Sequence, residues 1–153
     1  MTAVYRIALT DTFEKDIEHQ AVIISNFSTS PTAAPVFRQI VRGDLLLVTM
    51  GMKDIKAVFQ AMDTPYVTSV NYCNPDFDDN PDVIANGFLE LPIKVLKIFK
   101  NNVDGEEFFR NSRLVNKAGR RSRFFNSRGH IIQLHPRNEN LLFNTIKELL
   151  KQP

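Results

Sequence analysis

Arg42-Gly43-Asp44-Leu45-Leu46-Leu47-Val48-Thr49-Met50 is the stretch that points most directly to a fold. A mainly apolar run from Leu45 to Met50 follows a polar turn and ends at Gly51, a pattern typical of a buried β-strand. After a second turn at residues 52–54, residues 55–62 have the length and composition of a partner strand. The sequence therefore predicts a β-hairpin at the centre of the domain.

The segments before this hairpin predict one more strand and a helix. Residues 4–9 alternate between apolar and polar positions, as a half-buried strand does. Thr12 is placed to cap a helix over residues 13–20. Residues 21–27 are apolar and too short to assign, residues 28–35 form a Ser/Thr/Pro loop, and residues 36–41 allow one helical turn.

The segments after the hairpin predict a long strand and a closing helix. Residues 87–99 alternate in character and predict a long strand, bent or bulged at Pro92. Residues 103–110 predict a short helix, and residues 130–134 a last strand that Pro136 stops. Asn138 then caps a final helix whose apolar residues recur at helical spacing.

These elements predict one α/β (α+β) domain over residues 1–153, with a curved mixed sheet or small barrel flanked by helices. The chain ends directly after the predicted final helix, which we interpret as a boundary within a longer protein. With Cys73 as the single cysteine, an internal disulfide and a cysteine-based zinc site are excluded. The sequence shows neither a signal peptide nor an apolar run of about 18–20 residues, so a cytoplasmic protein without a membrane partner is expected.

The charge distribution carries the functional signal. Residues 108–138 contain eight basic and no acidic residues, a charge of +8, within a chain whose formal net charge is only +2. The other 11 basic and 17 acidic residues give the remainder of the chain a charge of −6. Such asymmetry within one domain favours a polyanionic partner.

Several short motifs resemble the PUA-like superfamily, and within it the EVE and YTH-like branch. Residues 42–48 resemble that group's "GD" turn and central strand, and residues 57–61 with Thr64-Pro65-Tyr66 resemble its returning strand and "PY" turn. Asn111-Ser112-Arg113-Leu114 resembles an "NSRL" element of EVE proteins, and residues 129–134 with the last helix resemble its closing elements. The similarity covers most of residues 43–150.

The chain is most similar in kind to the DNA-binding modules at the front of McrBC-type, modification-dependent restriction systems. That resemblance implies a domain that binds DNA, with RNA as the second choice, and flips a modified base into an aromatic pocket. It also implies a motor or nuclease partner domain, and no cofactor. The YTH branch builds its cage from tryptophan, which this chain lacks, so its pocket is expected to use Phe, Tyr or Met.

The basic stretch supplies the candidate phosphate ligands, because guanidinium groups bind phosphate oxygens in a bidentate manner. They are Arg110, Arg113, Lys117, Arg120, Arg121, Arg123, Arg128 and His130. Residues at predicted strand ends and loops supply the candidate base pocket, where stacking contributes about 1–3 kcal/mol per base. They are the apolar residues Phe27, Met50, Gly51, Tyr66, Tyr72 and Phe88, with Ser25, Asn26, Asn71 and Asn86 as readers of the base edge.

Three other functions stay open at this point. One is an RNA-binding domain of the same fold, and another is a domain that binds an acidic protein. The third is a magnesium nuclease, for which Asp82, Glu90 and Lys94 have a partly suitable layout. Three residues separate Glu90 from Lys94 where that layout needs one, so no catalytic or metal site is assigned.

Overall fold

The structure is a computed structural model, and it describes residues 2–9, 12–26, 33–51, 54–69, 87–115, 131–136 and 138–153. Twelve elements occur in these residues. In chain order they are β1 (Val4–Ala8), α1 (Phe13–His19), β2 (Ala21–Ser25), α2 (Ala33–Phe37), β3 (Leu45–Met50), β4 (Asp54–Ala61), β5 (Tyr66–Thr68), β6 (Phe88–Asp104), α3 (Gly105–Ser112), β7 (Leu114–Val115), β8 (Ile131–Pro136) and α4 (Glu139–Leu150).

The described strands form one curled, mixed half-barrel sheet in the order β2-β6-β4-β3-β1-β8-β7, with β5 paired to β6. β1 and β3 are parallel, and the other pairs are antiparallel. The first strand of the chain therefore lies inside the sheet, between β3 and β8. The predicted α+β architecture with a curved mixed sheet is confirmed.

Each face of the sheet covers its own apolar core. Tyr5 and Ile7 of β1 belong to an inner core that also contains Phe13 of α1 and Phe37 of α2. Val4, on the opposite face, belongs to a second core with residues of α3 and α4. Because side chains alternate along a strand, one apolar run supplies both cores, and this explains why the Leu45–Met50 stretch is apolar at every position but Thr49.

The predicted hairpin is confirmed as β3 and β4, which pair from Leu45 and Gln60 to Met50 and Asp54. Its entry turn needs a glycine, since Gly43 has a φ of +95° that other residues rarely adopt. The Gly43 amide donates to the carbonyl of Ala61 at 2.8 Å, which fixes the start of β3 against the end of β4.

Asp44 connects this turn to the first strand. Its side chain is 2% exposed, and its two oxygens accept hydrogen bonds from the amides of Ala3 at 3.0 Å and Val41 at 2.9 Å. Burial raises the pKa of the nearby Tyr5 hydroxyl, and the negative charge of Asp44 raises it further. The "GD" motif is thus the junction that holds β1 parallel to β3.

Two local predictions in the first 40 residues were wrong. Thr12 precedes α1, but its hydroxyl donates to the carboxylate of the buried Asp16 at 2.8 Å and does not cap a backbone amide. α2 begins at Ala33 and contains Pro35, which the sequence placed in a loop. Proline lacks only an amide hydrogen that the first turn of a helix leaves unpaired, so a helix tolerates it there. The unassigned residues 21–27 contain β2.

The long strand β6 was predicted, but the bulge proposed at Pro92 is not found there. At Pro92 the register is regular, and β6 changes partners there: before it β6 pairs with β2 and β5, and after it with β4. The register shifts lie further on, at Leu96 and between Ile98 and Val103.

The last two helices begin at side-chain caps. Asp104 accepts a hydrogen bond from the amide of Glu106 at 3.0 Å, and α3 starts directly after it. Asn138 accepts from the amide of Leu141 at 3.2 Å, which confirms the predicted cap of α4. None of the helices in the described part of the chain has the length and apolar character needed to cross a membrane.

We predict that Asp44→Ala lowers the free energy of unfolding by roughly 3 kcal/mol, because two buried amides lose a charged acceptor. Urea denaturation measures this loss, and Asp63→Ala is the control. Asp63 is exposed and bonds only the amide of the next residue, so its loss is expected to cost under about 0.5 kcal/mol. Equal losses in the two variants would contradict the assigned role. Spectrophotometric titration is also expected to show a lower Tyr5 pKa in Asp44→Ala.

Candidate nucleic-acid interface

The structure brings three of the predicted pocket residues together where β2, β6 and β5 run side by side. Ser25 of β2 is paired with Phe88 of β6, which is paired with Thr68 of β5 on its other side. Leu89 belongs to the inner core, so the neighbouring Phe88 points to the opposite face. Asn26 follows Ser25 directly, and its amide donates to the carbonyl of Gly87 at 3.1 Å.

An arginine that the sequence analysis did not select contacts this group. The Arg38 guanidinium donates a hydrogen bond to the side-chain oxygen of Asn26. Arg38 is exposed and follows α2, and its amide donates to the carbonyl of Ala34 at 3.0 Å. Its position depends on α2, which starts three residues before the helical turn predicted at residues 36–41, so no local signal identified it.

Gly87 is a second residue that sequence reasoning missed. Its φ is +72°, and a Cβ at this position would lie 2.8 Å from the carbonyl oxygen of Thr68. Only glycine therefore allows β5 and β6 to approach this closely beside Phe88. We name Ser25, Asn26, Arg38, Gly87 and Phe88 the β2–β6 cluster.

Tyr66 lies one pair further along the same strands. It is paired with Glu90, which is paired with Ile23, and its hydroxyl donates to the Glu90 carboxylate. Partial burial raises the pKa of Glu90, while the nearby His19 acts to lower it. The Tyr66 side chain is 46% exposed, so it is held by its hydroxyl while part of its surface faces solvent.

Met50 and Gly51 lie elsewhere along the sheet. Met50 is paired with Asp54, which is paired with Asp104 at the end of β6, whereas Ser25 is paired with the start of β6. Gly51 is exposed, and its carbonyl accepts a hydrogen bond from the Thr49 hydroxyl at 3.0 Å. The described residues of the predicted pocket therefore form two groups at opposite ends of the β6 register.

Two predicted phosphate ligands are described, and both are exposed. Arg110 lies in the last turn of α3, and Arg113 ends this helix with a φ of +49°. The Arg113 amide donates to the carbonyl of Phe109 at 3.0 Å. Neither guanidinium forms an ion pair with a residue that the structure describes.

The geometry explains the "NSRL" element. Ser112 is fully buried and its hydroxyl donates to the carbonyl of Phe108 at 2.7 Å, which anchors the end of α3. Arg113 then turns the chain outward into β7, which pairs with β8 at His135 and Pro136. Arg113 thus stands just before β7, the last strand in the sheet order.

Most of the other predicted site residues lie outside the described residues. These are Lys117, Arg120, Arg121, Arg123, Arg128 and His130 of the phosphate set, and Phe27, Tyr72, Asn71 and Asn86 of the pocket set. Asp82, the first carboxylate of the nuclease layout, lies outside as well. Within the described ranges, no three His, Cys, Asp or Glu residues come together as a metal site.

A cavity of about 330 Å³ opens between the amino end of β1, the end of β8 and the first turns of α4. Val4, Leu134 and Leu142 are among its lining residues, and all three belong to the second core. Of the predicted pocket residues that the structure describes, none lines this cavity. The cavity is therefore a separate feature of the fold.

No protein-family model and no curated protein matches the chain. Solved structures do match it over nearly its whole length. Human THYN1, solved in complex with DNA containing 5-methylcytosine, superposes with a TM-score of 0.57 at 13% identity, covering 99% of both chains. The YTH domain of Zygosaccharomyces rouxii MRB1, in complex with N6-methyladenosine RNA, gives 0.55 at 11% identity, covering 98% of this chain and 87% of the other.

A third structure, Rpa0253 from Rhodopseudomonas palustris, superposes with a TM-score of 0.59 at 14% identity, covering 97% of this chain and 95% of the other. At such low identities the matches establish the fold. The chain has the PUA-like fold of EVE and YTH domains, as the sequence motifs predicted.

We predict that Gly87→Ala destabilises the protein more than Gly51→Ala does. Both glycines have nearly the same positive φ, +72° and +71°, so both variants carry the left-handed strain of about 1–2 kcal/mol. A Cβ meets nothing within 4 Å at Gly51 but meets the Thr68 carbonyl at Gly87. Urea denaturation measures the free energy of unfolding of both variants, and the difference between them reports the contact with the Thr68 carbonyl. Equal destabilisation would show that β5 does not approach β6 as described.

Proposed function

We propose that this chain is a non-catalytic reader of a modified base in nucleic acid, with methylated DNA as its ligand and RNA as the alternative. The observation that carries the proposal is the full-length structural match to a protein solved with 5-methylcytosine DNA. A match to a domain solved with N6-methyladenosine RNA supports the same class of ligand. The acid-free stretch of residues 108–138 provides an independent electrostatic argument.

In this proposal the basic stretch holds the phosphate backbone. Arg110 and Arg113 are exposed at the end of α3, just before the edge strand β7, and form no ion pair within the described ranges, so their charges are available to phosphates. Lys117, Arg120, Arg121, Arg123, Arg128 and His130 continue the same stretch toward β8. These contacts give affinity without sequence preference.

The modified base is proposed to leave the stack and enter a pocket that aromatic side chains enclose. Flipping costs a few kcal/mol, which stacking and hydrogen bonds to the base edge must offset. The β2–β6 cluster supports this proposal because it places Phe88 beside Ser25 and Asn26, with Arg38 on the Asn26 side chain. Tyr66 lies one pair away, and Phe27, Tyr72, Asn71 and Asn86 complete the proposed set, whereas Met50 and Gly51 lie at the other end of the β6 register.

The wider role proposed is that of a targeting domain in a cytoplasmic restriction system, with a motor or nuclease domain as its partner. The support is the resemblance of the sequence motifs to the front modules of McrBC-type systems. A reader of this kind needs no catalytic centre, because the partner cleaves the DNA.

The central prediction concerns selectivity. At one stated salt concentration, duplex DNA with 5-methylcytosine is expected to bind about 5–150-fold more tightly than the unmodified duplex, since one methyl group contributes about 1–3 kcal/mol. Fluorescence anisotropy with modified and unmodified DNA and RNA measures this ratio. Equal affinity for all four ligands would refute base reading, and Mg²⁺-dependent cleavage would refute a non-catalytic role.

A second prediction concerns the salt dependence. Arg120→Gln/Arg121→Gln is expected to weaken binding to every sequence and to reduce the slope of log K against log salt by about 2, because each phosphate contact contributes about 0.9. The control is Lys15→Gln, which removes an exposed α1 cation that pairs with Glu18 at 3.7 Å. An effect limited to methylated DNA would place these arginines in base reading instead.

A further inference from the structure

A second group of basic residues lies on β6, apart from the stretch of residues 108–138. Residues 91–103 contain Lys94, Lys97 and Lys100 and no acidic residue. Lys94 and Lys100 are exposed, and Lys97 is half-buried. We name these three residues the β6 lysine strip.

The register shift at Leu96 aligns the first two of these lysines. Lys94 is paired with Gln60 and Lys97 with Val58, and Gln60 and Val58 are two residues apart on β4. Since alternate residues of a strand share a face, Lys94 and Lys97 lie on the same face, about 7 Å apart. On a regular strand, residues three apart would lie on opposite faces.

The edge of β6 that carries the strip is open. β2 pairs with β6 only as far as Pro92, and Ile93 donates its amide to the carbonyl of Gln20. Beyond Ile93, no strand of the described ranges pairs with this edge; the Lys100 amide donates to the carbonyl of Pro153 at 3.1 Å. None of the three ammonium groups forms an ion pair with a described residue.

We infer that Lys94 and Lys97 of the β6 lysine strip form a second phosphate-binding surface for the same nucleic acid, an inference that rests on the proposed function. Lys100 follows Phe99 of the second core and therefore lies on the opposite face of the strand. Ammonium groups about 7 Å apart can contact separate phosphates of one strand. Five strand spacings, roughly 24 Å along the sheet, separate β6 from β7, which Arg113 directly precedes. At 3.4 Å per base pair, a ligand must extend about seven base pairs to contact both Arg113 and the strip.

Lysines on an open edge also hinder its pairing with another chain. That role makes a different prediction, since removing the charges would promote self-association without changing the salt dependence of nucleic-acid binding. Light scattering on the free protein therefore separates the two roles.

The test compares Lys94→Gln/Lys97→Gln/Lys100→Gln with Lys15→Gln/Arg42→Gln/Lys147→Gln, which removes three exposed cations from other parts of the molecule. Salt titrations use a duplex of about 20 base pairs carrying 5-methylcytosine and a single strand of about two nucleotides carrying the same base. With the duplex, the strip variant is expected to lose about 2 units of slope, because Lys94 and Lys97 share one face, and the control variant about none. With the short strand, both variants are expected to match the wild type, because the short strand cannot contact both surfaces.

Circular dichroism of both variants is the check that they are folded. The variant Lys94→Arg/Lys97→Arg/Lys100→Arg keeps the charges and is expected to retain the wild-type slope. Equal slopes for the strip and control variants on the duplex would overturn the inference and leave the proposed function standing. Self-association of the strip variant with an unchanged slope would assign the lysines to edge protection and also overturn it. If the wild-type protein binds none of these ligands, the proposed function fails and the inference fails with it.

Discussion

The Asp44 carboxylate is the constraint on which the rest of the structure depends. By accepting the amides of Ala3 and Val41, it fixes the start of β1 beside the start of β3 and makes the two strands parallel. β8 then pairs with the free edge of β1, and β7 with β8. The positions of β7 and β8 in the sheet consequently depend on a hydrogen-bonded turn far away in the sequence.

The sequence was sufficient to predict those elements that are determined by the spacing of apolar residues within one short segment. The β3–β4 hairpin, the long strand β6 and the capped helix α4 followed from the length and spacing of apolar residues and from Asn138. The parallel pairing of β1 with β3 could not be predicted, because it depends on a side chain reaching a residue 41 positions away. The change of partners at Pro92 and the bulge at Leu96 are likewise decided by neighbouring strands and have no signature of their own.

The same distinction between local pattern and tertiary contact applies to the candidate site. Ser25, Asn26 and Phe88 were selected because they stand near predicted strand ends, and pairing of β2 with β6 does bring them together. Arg38 and Gly87 were missed, since the position of Arg38 depends on α2, whose start was predicted three residues too late, and Gly87 is required by the close approach of Thr68. The composition of residues 108–138 was enough to identify their positive charge without the fold. The β6 lysine strip contains only three basic residues, and the alignment of Lys94 and Lys97 depends on the strand register, so composition did not identify it.

The central position of β1 has a consequence for how the molecule assembles. Val4 contacts Leu45 on one side and Leu134 on the other, so the completed sheet joins positions from distant parts of the sequence. Contacts of this kind slow folding, because a long loop must close before they contribute any stability. On the ribosome, the β3–β4 hairpin can form early, whereas β8 can join only after nearly all of these residues have emerged. Until then one edge of β1 stays unpaired, and a nascent chain with an open apolar strand is a natural client for chaperones.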